Sequence, residues 1–85
     1  MNWHQEKIKQ QASSIYEQMM ISFSNKNNKE VRSYANQLIQ NYDHTVYADV
    51  AHMTLAKMYV SKNKLTQAQS ELNEVAQKSS VPALK

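Results

Sequence analysis

Residues 45–76 read TVYADVAHMTLAKMYVSKNKLTQAQSELNEVA, and this stretch decides the fold. Tyr47, Val50, Ala51, Leu55, Met58 and Tyr59 recur at steps of three and four, which sets them on one stripe of a helix. Thr45 stands just ahead of the pattern, where its hydroxyl can cap an unsatisfied first-turn N–H. The helix is expected to end near Ser61, because Lys62-Asn63-Lys64 carries no apolar period. Leu65, Ala68, Leu72, Val75 and Ala76 then open a second stripe, the expected inner face of a fourth helix. So short a connection lets the chain do nothing but fold back, and two antiparallel helices are predicted.

Outward from there, Val31, Ala35, Leu38, Ile39 and Tyr42 predict a helix over 29–42, with Asn28 as N-cap and Glu30 in its first turn. Ile8, Ala12, Ile15, Tyr16, Met19, Met20 and Phe23 predict another over 5–24, broken by the tract Asn25-Lys26-Asn27-Asn28. Asp43-His44-Thr45 is the loop between the pairs. Beyond Ser79-Ser80-Val81, Pro82 suits a first helical turn, so Pro82-Ala83-Leu84-Lys85 is expected to begin a further helix.

Composition agrees with helices throughout. The 85 residues include no glycine and one proline, whereas sheets and tight hairpins recruit glycine where φ must be positive. A chain of this length is one domain at most and buries only about 60% of its unfolded surface. Without cysteine, neither disulfides nor a thiolate metal site can supplement the core. Ten Lys and Arg against seven Asp and Glu give a net charge of +3, spread along the chain and too weak to imply nucleic acid. Nucleic-acid binding would need the lysines of two turns, Lys26 and Lys29 with Lys62 and Lys64, to act as one edge. No run of about 18 apolar residues occurs, so no membrane span is expected. Met1-Asn2-Trp3-His4-Gln5 leads into a polar stretch, which fits either a cytosolic start or a chain trimmed of its natural N-terminus.

The residues that could carry chemistry do not converge. His4, His44 and His52 are spaced by forty and eight residues, which matches no ligand motif. Ser13, Ser14, Ser79 and Ser80 lack a base and an orienting partner, and a phosphate-cradling loop needs glycine. Glu71 and Glu74, three apart, are expected on a solvent-facing stripe. No catalytic, metal or cofactor-binding residue is assigned, and no cofactor or enzymatic activity is expected.

Self-similarity gives the more specific signal. Ala35 and Ile39 match Ala68 and Leu72 at 68 − 35 = 33 residues, and Leu55, Ala56, Tyr59, Ala68 and Leu72 have the separations of the tetratricopeptide repeat, which this pair of helices resembles. Small Ala56 and Ala68 let the paired backbones approach, with Tyr59 and Leu72 filling the gaps beside them. Ser80 stands where the repeat often has proline and His52 where it often has tryptophan. In the first pair the turn reads as a few residues longer, and Phe23 instead of a small residue lies twelve before Ala35. The resemblance implies an all-α fold of tandem antiparallel hairpins, 5–42 and 45–79, coiling as a right-handed superhelix.

The order of segments narrows it. Ala12-Ser13-Ser14-Ile15-Tyr16-Glu17-Gln18-Met19, Ala35-Asn36-Gln37-Leu38-Ile39, Thr45-Val46-Tyr47-Ala48-Asp49-Val50-Ala51 and Leu55-Ala56-Lys57-Met58-Tyr59-Val60 are similar to the YfgM-type family, ancillary subunits of the SecYEG translocon. This likeness implies a periplasmic repeat domain on a Gram-negative inner-membrane protein with one N-terminal anchor, partnered by the translocon and periplasmic chaperones. Trp3 would then either sit at the membrane interface or pack on, or stand out from, the first helix. A generic adaptor with another client, cytoplasmic or in the envelope, is the competing expectation. The repeat register points Asp49, Val50, Met53, Lys57 and Val60 into a partner groove, and the open edge at the last helix allows self-association.

Overall fold

The computed structural model describes residues 3–78, and side chains from residue 6 onward. The expected further helix at 82–85 lies outside the described residues. Four helices follow one another: α1 (Trp3–Ser24), α2 (Asn28–Asn41), α3 (Val46–Ser61) and α4 (Leu65–Lys78). No strand occurs among the described residues. α1 pairs with α2 and α3 with α4, and α3 also packs along α2 and touches α1. The result is a flat stack of 43 × 29 × 17 Å.

Helix ends follow local chemistry. Asn27, one residue before the expected cap, accepts the Glu30 N–H through its side chain at 3.2 Å, which leaves Asn28 inside α2. The Thr45 hydroxyl donates to the Tyr42 carbonyl at 2.6 Å and accepts the Ala48 N–H at 3.3 Å, so one side chain closes the loop and caps α3. Lys26, His44 and Asn63 take positive φ of 60°, 68° and 61°. Each stands in a conformation that glycine would adopt freely, and this chain has none.

Both hairpin turns are built alike. Asn25, Lys26 and Asn27 donate to the carbonyls of Ile21, Phe23 and Ser22, and Lys62, Asn63 and Lys64 donate to those of Met58, Val60 and Tyr59. Every one of these pairs differs by 37 residues, as do the positive-φ residues (63 − 26 = 37) and the first residues of α2 and α4 (65 − 28 = 37). The structural repeat is therefore 37 residues, not 33. The first turn is no longer than the second, since each leaves three residues between helices. The count of 33 arose because two alanines coincided. In the true register Ala68 answers to Val31, and both are buried.

The core runs through Ala12, Met19, Val31, Ala35, Leu38, Ala51, Leu55 and Met58, flanked by Ile15, Tyr16, Tyr34, Ile39 and Tyr59. It lies between the hairpins, with α3 at its centre. That position explains why apolar residues spread around much of α3 and do not keep to one stripe. Helix α4 departs from expectation: of its five predicted inward residues, Ala68 and Val75 are buried, while Leu65 is 60% exposed, Leu72 50%, and Ala76 is exposed too. The cause is position, since α4 has a neighbour on one side and none among the described residues on the other.

Candidate partner-binding face

Antiparallel packing of α4 on α3 sets a row of α3 side chains against Leu72. Met53, Ala56, Lys57 and Val60 from α3 and Leu72 from α4 enclose an open cavity of about 300 Å³. Its walls are apolar except for Lys57. From Met53 to Val60 it follows seven residues of helix, about 10 Å. Val60 is 54% exposed and Met53 39%, so large apolar side chains face solvent here. Of the residues expected to face a partner, Met53, Lys57 and Val60 meet in this cavity. Val50 is half-buried and packs on the core, and Asp49 is 5% exposed, within the fold. Sequence reading missed Ala56 and Leu72 as lining residues because it assigned both to close interhelical packing.

Beside the cavity, His52 Nδ1 and Glu71 Oε1 lie 2.7 Å apart across the α3–α4 seam, with side chains 12% and 21% exposed. Glu71 is therefore not on a solvated stripe. Its geometry turns it inward to a hydrogen bond, while Glu74 pairs with Lys78 at 3.5 Å on the surface. His44 lies exposed in its loop beside Asp43, at 3.6 Å. Among the described residues no group of histidine and carboxylate side chains could hold a metal ion. At the C-terminal end of α3, Phe23, Lys26, Asn28, Met58 and Ser61 line a second cavity, of about 330 Å³, where the first turn meets the second hairpin. Tyr16 and Tyr47 cross the α1–α3 contact with ring centroids 5.7 Å apart.

The whole chain, residues 1–85, matches the family model described as a tetratricopeptide repeat-like domain. This protein belongs to that family. Its domains are generally non-catalytic modules through which proteins hold one another, and that is the role the fold supports here. No curated protein and no solved structure matches the chain. Among the described residues no helix is long and apolar enough to cross a membrane.

Proposed function

We propose that this chain is a non-catalytic adaptor that holds an amphipathic helix of a partner protein along the α3–α4 cavity. The observation that carries it is the contrast between matched faces. In the first hairpin Tyr16, Met20 and Phe23 are half-buried and pack against the core, whereas Met53, Lys57 and Val60, 37 residues later, are exposed. Solvated apolar walls favour a partner that brings apolar area, at roughly 25 cal/mol per Å² removed from water. A pliable methionine adapts to its shape. Lys57 in the middle of those walls selects a partner with a carboxylate at that place, because an unpaired ammonium resists desolvation.

The client is proposed from the segment resemblance: the SecYEG translocon and periplasmic chaperones, with the domain on the periplasmic face of an inner membrane through an N-terminal anchor. Affinity capture from solubilised inner membrane tests both layers. The expected result is recovery of translocon or chaperone subunits by the wild-type domain, with loss on Met53→Glu or Val60→Asp. Both residues are solvent-facing, so the variants should stay within about 0.5 kcal/mol of wild-type stability. Capture that survives both substitutions would remove the cavity as the binding face. Capture of other clients alone would leave an adaptor of a different pathway.

A further inference from the structure

Both hairpin turns lie at one end of the stack. Phe23, Lys26 and Asn28 around the first turn share a cavity with Met58 and Ser61, which lead into the second, so the two turns are neighbours. Residues 21–32 and 60–67 make up this end and carry five cations, Lys26, Lys29, Arg32, Lys62 and Lys64, against one carboxylate, Glu30. Their net charge of +4 exceeds the +3 of the whole chain, which leaves the remainder at 3 − 4 = −1. All five cations are exposed, and none makes an ion pair among the described residues. Glu30 is held by the Ser22 hydroxyl, which donates to it at 2.9 Å. At the far end, by contrast, Asp43 pairs with His44 and Glu74 with Lys78.

Apolar exposure gathers at the same end. Leu65 at 60%, Ile21 at 55% and Val60 at 54% are the three most exposed large apolar side chains among the described residues. Ile21 stands in the last turn of α1, Val60 in the last turn of α3, and Leu65 opens α4. Nucleic acid is a poor match for this face, because bases stack on aromatic rings and Phe23, the aromatic residue of this end, packs on the core. An acidic protein would answer the lysines but would also have to bring apolar groups to three separate helix ends. A bilayer offers phosphates and an apolar interior wherever the end is pressed. Lysine stems lie along apolar material while their ammonium groups stay with the phosphates.

We propose that the turn end seats on an anionic lipid bilayer, with the lysines of both turns against headgroup phosphates and Ile21, Val60 and Leu65 at the edge of the acyl region. The contact is peripheral and needs no spanning helix. Of the residues lining the α3–α4 cavity, Val60 alone belongs to it.

Sedimentation of the isolated chain with vesicles tests the proposal. Vesicles of phosphatidylcholine with roughly one third phosphatidylglycerol should bind it about tenfold or more tightly than phosphatidylcholine alone, since each lysine near an anionic surface contributes about fivefold. Salt near about 1 M, where the screening length is about 3 Å, should remove most of that difference. Lys62→Glu should weaken binding about fivefold or more, whereas Lys78→Glu, an equal change of net charge at the far end, should leave it within about twofold. Leu65→Gln keeps the charge and should weaken binding about fivefold through lost apolar burial. Unchanged far-UV circular dichroism shows that each variant keeps its fold. Absence of binding to the anionic vesicles, or equal losses for Lys62→Glu and Lys78→Glu, would overturn the proposal. So would binding indifferent to Leu65→Gln, or tighter binding to polyglutamate or single-stranded RNA than to the vesicles, because the face would then serve an acidic macromolecule.

Discussion

Ala35 of the first hairpin is fully buried, while its counterpart 37 residues on, Leu72, is half exposed and lines an open cavity. The backbone of the two turns is the same down to individual hydrogen bonds. What differs is cover: α3 lies on one face and no described helix lies on the other. In a stacked repeat each unit buries only the face its neighbour reaches. The exposure of Leu72 is thus a property of its place in the stack more than of its own helix.

The largest effect that would break this comparison is in the leucines. Leu38 is fully buried, and Leu38→Ala removes packed methyl groups and leaves a void, a loss of about 2–5 kcal/mol. A domain this small has little stability to spare, so urea titration should show Leu38→Ala largely unfolded without denaturant. Leu72→Ala should cost less than about 1 kcal/mol, because half of that side chain is already solvated. Equal costs would mean that the second face is covered in solution.

A smaller effect sharpens it. His52 and Glu71 answer to Ile15 and Tyr34 (52 − 37 and 71 − 37), both half-buried against the core, so the second hairpin places a polar pair where the first has apolar packing. Either single change, His52→Ile or Glu71→Tyr, strands a half-buried partner and should cost about 1–3 kcal/mol. The double variant should recover most of that loss, since a well-packed apolar pair commonly matches a buried polar one. Additive losses in thermal melts of the four proteins would show that the two side chains do not act as a pair.

How far these features were legible in the sequence depended on their range. Helix periodicity and the Thr45 cap depend on neighbours within four residues, and they could be read from the chain. The repeat length could not, because Ala35 and Ala68 coincide at 33 residues and the turn hydrogen bonds that set 37 have no side-chain signature. Glu71 looked solvated because its partner, His52, is nineteen residues away across the seam. The cavity was half legible. The repeat register pointed to Met53, Lys57 and Val60 but also to Asp49 and Val50, which do not line the cavity, while Leu72 has the spacing of a core residue. Only the missing neighbour on its outer side makes it a wall.

The smallest effect tests the turns themselves. Lys26 and Asn63 occupy matched left-handed positions, and the left-handed region costs a residue with a β-carbon about 1–2 kcal/mol relative to glycine. Asparagine tolerates it better, because its short side chain can hydrogen-bond locally. Lys26→Gly should therefore stabilise the domain by about 0.5–1 kcal/mol, and Asn63→Gly by a few tenths at most, once the extra freedom of glycine in the unfolded chain is subtracted. Urea midpoints of the two variants decide it. A larger gain at Asn63 would mean that the second turn is the more strained, and that the likeness of their hydrogen bonds hides a difference in energy.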